Sequence, residues 1–382
     1  MSEDLPACAR EYPETFTQEV EQARARAAWS RLRYLTPHQR FKAARETRAL
    51  RTPAVFRVAL ADASAATGGE AKLAEEWATF AVDLLELLPA GSLSAEQRKE
   101  HRGEGFGVLG NSRRRTGDFP GSAAAFQAAQ ESLPGGTSAA RARVLSFQAS
   151  LAYDMGDLEG AVDLISQSRQ IYAALRDRHG LARLGIKHAN FLREVQPAEA
   201  RTIAADTLLV LPRTELRLEM LAHCIIAETL AESQDGRGAM ERLQEARPLL
   251  SQFNEEWLAC RLQFLEARIL EALGFLADAE RLYAEAARLS WHSESYRESF
   301  MIRLRQFEFY LGRKRHREAA EVCRKAVVLL GETSAHGQMK EVWQSLQEAT
   351  ETHALKVDCL PDVRNYMVRH WCVPAHRLPL QT

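Results

Sequence analysis

The stretch that decides the fold is FGVLGNSRRRTGDFPGSAAAFQAAQESLP, residues 106–134. It has an apolar first half, a turn centred on Gly117 and Asp118, and a second half in which small residues recur at helical spacing. Glycine adopts the positive φ at which a helix ends and the chain reverses, and a following Asp can cap the next helix. The stretch therefore predicts two antiparallel helices joined by a tight turn.

The same pattern recurs along the chain, most clearly around Gly156 and Gly274. The first small residue of each second helix marks a copy: Ala74, Ser122, Ala161, Ala200, Ala239, Ala279 and Ala319. From the second marker onward, successive markers are 39 or 40 residues apart. One helix pair cannot bury its apolar stripe alone, so the pattern predicts about seven pairs stacked on one another.

Composition also favours helix. The chain has 382 residues, 46% hydrophobic and 26% charged, and no segment alternates apolar and polar residues in the way strands do. The predicted fold class is all-α: a right-handed superhelical solenoid of antiparallel helix pairs without significant β-sheet. The predicted organisation is a basic N-terminal helical cap (1–51), helical repeats (52–352) and a C-terminal capping helix with a tail (353–382).

The pattern resembles the tetratricopeptide repeat. The matching residues of the clearest copy are Phe106, Leu109, Gly110, Gly117, Phe119, Phe126, Ala129 and Pro134. Ser122 stands where that family has its first Ala, and the interval of 39 or 40 residues is similar to the longer variant in the sensor domain of the maltose-regulon activator. The resemblance implies that the first helices line a concave groove that holds a peptide or a partner helix.

Charge and cysteine usage exclude some functions and favour one location. Fifty basic and 51 acidic side chains leave a formal charge of −1, which gives no general attraction to nucleic acid or an anionic membrane. No apolar run is long enough to span a bilayer, and the acidic start is unlike a signal peptide. The six scattered cysteines favour a reducing compartment. We therefore expect a cytoplasmic protein.

The resemblance also nominates residues for the groove. They are first-helix side chains outside the packing pattern, and most are polar: Asn111, Arg143, Tyr153, Asn190, Arg193, Glu228, Arg261 and Arg268. Arginine suits peptide carboxylates because its guanidinium donates two parallel hydrogen bonds. The alternative is that these side chains simply pair with Glu and Asp on neighbouring helices.

Residues 22–60 form a strongly basic segment. Its cations are Arg24, Arg26, Arg31, Arg33, Arg40, Lys42, Arg45, Arg48, Arg51 and Arg57. Spacing along a helix indicates a basic patch that includes Arg24, Arg31, Arg45 and Arg48. Such a patch suits an acidic partner or a phosphate backbone, and the alternative is a solvated face of a capping helix. The segment shows no recognisable helix-turn-helix, so direct nucleic-acid binding is not predicted.

The C-terminal residues contain ligand types that zinc uses, namely His353, Cys359, His370, Cys372 and His376. Their spacing matches no paired-ligand motif, so no metal and no cofactor are predicted. The alternative is an irregular segment that closes the stack.

Catalytic patterns are lacking. The nearest candidate is the glycine-rich Gly103, Gly105 and Gly107, which lies in a predicted helix and follows no strand. Because glycine destabilises a helix, either the helix begins near Phe106 or something packs closely there, as a ligand or a neighbouring backbone would. We do not expect an enzyme.

Two functions remain open from the sequence. The first is a scaffold or adaptor that binds a protein or peptide partner in the concave groove. The second is a regulator in which a bound peptide or small ligand controls a partner's activity, in signalling or transcription. The identity of the partner and the oligomeric state are not encoded in these patterns.

Overall fold

The computed structural model describes residues 13–133, 135–253, 256–290, 296–331, 337–355 and 357–369. Within these ranges the chain forms 18 α-helices and no β-strand, which confirms the all-α class. In chain order the helices are α1 (Pro13–Leu32), α2 (Pro37–Glu46), α3 (Pro53–Ala66), α4 (Ala71–Leu87), α5 (Ala95–Thr116), α6 (Phe119–Ser132), α7 (Ala139–Asp154), α8 (Leu158–Ala174), α9 (Arg178–Leu192), α10 (Pro197–Val210), α11 (Leu216–Glu232), α12 (Gly236–Leu250), α13 (Glu256–Ala272), α14 (Leu276–Leu289), α15 (Tyr296–Leu311), α16 (His316–Gly331), α17 (Gly337–Glu351) and α18 (Leu360–Arg369).

Helices α3 to α16 are the seven predicted pairs. Every marker residue lies in the second helix of its pair and is completely buried: Ala74, Ser122, Ala161, Ala200, Ala239, Ala279 and Ala319. Partners pack directly on each other, as α5 does on α6 and α11 on α12. Small residues at these positions let two helix backbones approach closely, which is why they recur.

The turns between paired helices explain both the strong and the weak copies. Gly117, Gly156 and Gly274 have φ between 84° and 87°, the left-handed conformation that ends a helix. In weaker copies Gln234 and Lys314 take the same conformation, with φ of 62° and 57°. In these two copies the left-handed turn is therefore kept although the glycine is missing.

The glycine-rich part of α5 lies inside the helix, which begins after a capping box formed by Ser94. A Cβ added at Gly107 would lie 2.7 Å from Cγ2 of Val144, and one at Gly110 would lie 2.7 Å from the Phe126 ring. Close packing of neighbouring side chains therefore explains these glycines, and an active-site loop is not needed.

The chain divides into two compact units, residues 1–148 and 149–382. In the first unit, Trp29 packs edge-on against Trp77, with ring centroids 5.6 Å apart, and its indole nitrogen donates to Asp62 at 2.8 Å. In the second, Phe307 packs edge-on against Trp343 at 6.2 Å. The boundaries drawn from the sequence, after residues 51 and 352, remain predictions.

Arg40 does not belong to the solvent-facing basic surface that the sequence suggested. Its side chain is buried, and it donates to the carbonyl oxygens of Leu32 at 3.1 Å, Arg33 at 3.2 Å and Leu35 at 2.8 Å. These carbonyls lie at the last residue of α1 and just beyond it, where the helix no longer supplies all the hydrogen-bond donors. Arg40 therefore caps α1 from α2.

No helix among the described residues is long and apolar enough to cross a membrane.

Candidate partner-binding site

A network of nine charged side chains runs across the second unit. It joins the two residues that follow α9 with side chains of α11, α13, α15 and α18. Its members are Arg193, Glu194, Glu228, Glu232, Arg261, Arg268, Arg305, Glu308 and Arg364. Side chains three, four or seven residues apart on one helix share a face. The first helices of stacked pairs are neighbours, so such faces can contact each other. We call these nine residues the charge network.

Glu228 is the centre of one half of the network. Its Oε1 accepts from Arg268 at 2.5 Å, and its Oε2 lies 3.3 Å from Nε of Arg193 and 4.0 Å from Nη2 of Arg261. One carboxylate on α11 therefore connects three guanidinium groups. The side chains of Glu228 and Arg268 are only 8% and 6% exposed, so water screens this contact little.

Glu232, one turn further along α11, is the centre of the other half. It accepts from Arg268 at 2.6 Å, from Arg305 at 2.8 Å and from Arg364 at 2.5 Å. Burial alone would raise the pKa of Glu232, but the three arginines outweigh it and lower the pKa to about 2. Glu232 is therefore ionised at neutral pH and connects α11 to three other helices.

Glu194 and Glu308 complete the network. Glu194 is buried, which alone would raise its pKa, yet Arg305 at 3.3 Å and the other nearby arginines hold that pKa well below its ordinary value. Glu308 receives two hydrogen bonds from Arg364, at 2.9 and 2.8 Å, and one from Arg305 at 3.2 Å. The paired bonds from Arg364 attach α18 to α15 in the fork geometry that arginine favours.

A pocket opens beside Glu228. Its enclosed volume is about 30 Å³, and the space including the open solvent at its mouth is about 540 Å³. Its walls combine charged groups with aromatic and aliphatic side chains: Arg193, Glu228, Trp257, Cys260, Arg261, Phe264, Leu265, Ser290, Met301 and Ile302. Mostly apolar walls with a few oriented polar groups are typical of ligand-binding sites. We call it the Arg261 pocket.

The arginines of the network differ in how far their donors are used. Arg268 is enclosed by Glu228 and Glu232, and its guanidinium lies over the Phe264 ring at 5.9 Å. Arg261 donates one hydrogen bond, to Oδ1 of Asn190 at 3.0 Å, among the described residues. Since a guanidinium carries five N–H donors, Arg261 retains most of its capacity for a ligand, whereas Arg268 serves the structure.

The structure brings together five of the eight nominated groove residues: Asn190, Arg193, Glu228, Arg261 and Arg268. Asn190 accepts from both Arg193 and Arg261 and so holds the two guanidinium groups at the pocket. Neighbouring carboxylates also pair with these arginines, as the alternative interpretation anticipated. That the five nominated residues bind a partner stays a prediction.

The other three nominated residues lie elsewhere. Asn111 accepts from Arg114 at 3.1 Å, and Arg143 lies 3.9 Å from Glu104; these contacts belong to the first unit. Tyr153 is buried in the second unit. Its ring stacks on Phe191 with centroids 4.4 Å apart. Packing of the ring accounts for Tyr153 in this position.

Sequence reasoning missed half of the site. The missed members of the charge network are Glu194, Glu232, Arg305, Glu308 and Arg364. Helical spacing could have found Glu232, one turn after Glu228. Trp257 and Phe264 could have been found in the same way, one turn on either side of Arg261. Nothing local in the sequence signals Arg364, which reaches Glu232 from 132 residues away.

The basic patch of the first unit is exposed. Arg24, Arg31, Arg45 and Arg48 all face solvent, and Arg45 lies over the Phe41 ring at 6.0 Å. These positions are compatible with a solvated capping face and with an acidic partner.

The C-terminal zinc-ligand types are only partly within the described residues. The rings of His353 and His316 lie 4.2 Å apart, and Cys359 is half-buried. The remaining candidates, His370, Cys372 and His376, lie outside the described residues. Across the parts of the chain that are described, no three potential metal ligands converge.

Among the solved structures that match, a Rap protein supports the architecture. A Rap protein complexed with competence and sporulation factor is 14% identical, and the alignment covers 83% of this chain and 87% of that one with a TM-score of 0.65. The apo form of RapI is 11% identical over 82% and 85%, with a TM-score of 0.48. Yeast Tom70 is 15% identical over 74% and 60%, with a TM-score of 0.43.

No family model matches the sequence, and no curated protein matches it either. The fold, with its paired helices and buried small residues, is that of tetratricopeptide-like helical-repeat proteins.

Proposed function

We propose that this protein is a non-enzymatic regulatory scaffold whose second unit binds a peptide or helix of a partner at the Arg261 pocket. The observation that carries the proposal is the pocket itself, where apolar walls meet Arg261, a cation that donates one hydrogen bond among the described residues. The Rap protein of similar fold, whose structure contains competence and sporulation factor, supports such a use of this architecture.

The chemistry of the site favours binding over catalysis. A general base or acid needs a pKa near the working pH, whereas Glu194 and Glu232 are held ionised by arginines well below that range. Burial raises the pKa of the Cys224 thiol to about 11, which makes its nucleophilic thiolate scarce at neutral pH. These groups are suited to holding a ligand and not to transferring protons.

A second candidate function is the sensing of a ligand, and the continuity of the charge network favours it. Glu228 lies near Arg261 at the pocket and pairs with Arg268. Arg268 also pairs with Glu232. Glu232 in turn holds Arg364 of α18. A ligand that attracts Arg261 would therefore alter contacts as far as α18.

The proposal is tested by selecting dodecapeptides from a displayed random library on the full chain. The affinities of the enriched peptides for the wild type and for Arg261→Ala are then compared. We expect Arg261→Ala to weaken binding by roughly tenfold or more, since hydrogen bonds to a charged group are lost. The matched control is Arg237→Ala, whose side chain on α12 is 92% exposed.

Enriched peptides that bind the wild type and Arg261→Ala equally well would reject the pocket as the site. A library that yields no enriched peptide would reject peptide binding. Circular dichroism of each variant shows whether the helices are intact.

A further inference from the structure

The Arg261 pocket has chemistry specific enough to indicate the class of group it takes. Among the residues that the structure describes, the charge network contains five arginines and four glutamates, which is one positive charge in excess. An uncompensated charge in a partly desolvated site is unfavourable, and one anion would neutralise it. A single charge matches a carboxylate, whereas a phosphate monoester would bring nearly two.

The place at which an anion would bind is set by Arg261. The pocket lining contains two cations, Arg193 and Arg261. Arg193 contacts Asn190, Glu194 and Glu228, whereas Arg261 donates one hydrogen bond among the described residues, to Asn190. The fork of a guanidinium matches the two oxygens of a carboxylate.

The apolar walls lie one helical turn from this cation. Trp257 precedes Arg261 by four residues and Phe264 follows it by three, so all three share one face of α13. Met301 from α15 adds a thioether wall, which packs well on aromatic rings. Side chains one turn apart are separated by about 5–6 Å. An apolar group attached to a carboxylate through a few bonds spans that distance.

From these observations we infer that the Arg261 pocket binds a monocarboxylate carried on an aromatic or branched apolar group, with the carboxylate on Arg261 and the apolar group against Trp257, Phe264 and Met301. This inference rests on the proposed function in using the same pocket. The same chemistry is offered by a free aromatic acid and by the C-terminal residue of a peptide.

The test measures binding of four small probes to the full chain by calorimetry: 4-phenylbutyrate, the neutral 4-phenylbutanol, the cationic 4-phenylbutylamine and the short-chain acid acetate. We expect 4-phenylbutyrate to bind at least about tenfold more tightly than each of the others, because only it supplies both the anion and the apolar group. Equal binding of the acid and the alcohol overturns the inference, as does failure of the acid to bind.

Variants locate the binding. Arg261→Gln should weaken 4-phenylbutyrate about tenfold and leave the alcohol unchanged, while the exposed control Arg237→Gln changes neither. A Met301→Ala variant should weaken both the acid and the alcohol, since it removes apolar contact only. An Arg261→Gln variant with wild-type affinity for the acid overturns the inference.

Two peptide probes distinguish a free acid from a peptide C-terminus as the source of the carboxylate. Acetyl-Gly-Gly-Gly-Phe is compared as the free acid and as the C-terminal amide. If the free peptide binds at least as tightly as 4-phenylbutyrate and the amide does not, the natural group is a chain end. If only the small acid binds, the pocket is an effector site for free acids. Both results support the carboxylate inference.

The inference and the proposed function fail separately. Library peptides that depend on Arg261 but have no preference for a carboxylate would keep the proposed function and reject the inference. Binding of 4-phenylbutyrate without any enriched peptide would keep the inference and reject peptide binding.

Discussion

Glu232→Gln is the most direct test of the charge network. Glutamine keeps the size of the side chain and an acceptor oxygen but removes the charge shared by Arg268, Arg305 and Arg364. Three buried or half-buried guanidinium groups then lose a common counter-ion. Removing one partner of a buried ion network destabilises a protein because the remaining charges are left uncompensated.

The magnitude follows from the pKa of Glu232. The network lowers this pKa from 4.5 to about 2. Each pKa unit corresponds to about 1.4 kcal/mol, so the ionised carboxylate contributes about 3 kcal/mol to the free energy of unfolding at neutral pH. The side chain is 30% exposed, and solvent screening brings the expectation to about 2–3 kcal/mol.

The pH dependence has a definite sign. Because the pKa is lowered on folding, the contribution is complete above about pH 4.5 and is lost as the pH falls toward 2. The difference in stability between wild type and Glu232→Gln should therefore shrink to roughly half at pH 3. The matched control is Glu241→Gln on α12, whose exposed carboxylate lies 4.0 Å from Arg237; it should change stability by less than about 0.5 kcal/mol.

The assay is urea unfolding followed by circular dichroism at pH 7 and pH 3. Hydrogen exchange of the α11 and α13 peptides identifies the second unit as the part affected. A loss below about 0.5 kcal/mol at pH 7 refutes the assigned role of the network, and an equal loss at both pH values refutes its electrostatic origin.

Two further substitutions test packing and turns in the same way. Gly110→Ala should destabilise the first unit by about 1–3 kcal/mol because the new Cβ would meet the Phe126 ring. The control Gly69→Ala has open space around it and should not destabilise the protein. Equal thermal stability of the two variants would refute the close helix contact at Gly110. Gln234→Gly should raise the free energy of unfolding by about 0.5–1 kcal/mol because Gln234 has a φ of 62°, and a loss of stability in urea would contradict that explanation.

The fold was predictable because its signals are local. The tight turn at Gly117 and the small residue at Ser122 lie within one stretch of chain, and each has one physical consequence: a reversal and a close helix contact. Glycine at 103, 105 and 107 left two interpretations open. The neighbours that decide between them, such as Val144, belong to other helices, and periodicity alone does not place their side chains.

The site was predictable only to the extent that it follows helical spacing. Arg193, Glu228 and Arg261 could be placed on first helices, and the structure brings them together. The sequence does not tell which arginine retains its donors, because that depends on which carboxylates reach it. Arg364 and the buried Arg40 show the same limit: both look like surface cations in sequence, and tertiary contacts give them partners.

A buried ion network is a weak source of stability compared with apolar packing of the same volume, so its presence in the second unit is better explained by what it couples. Arg261 is drawn toward Glu228, which also holds Arg268. An anion at Arg261 competes for that attraction and so changes the charge balance at Glu228. Arg268 pairs with both Glu228 and Glu232, so it transmits a change at the first carboxylate to the second. We therefore expect occupation of the pocket to alter the anchoring of α18 through Glu232, which is the physical requirement for a binding protein that also regulates.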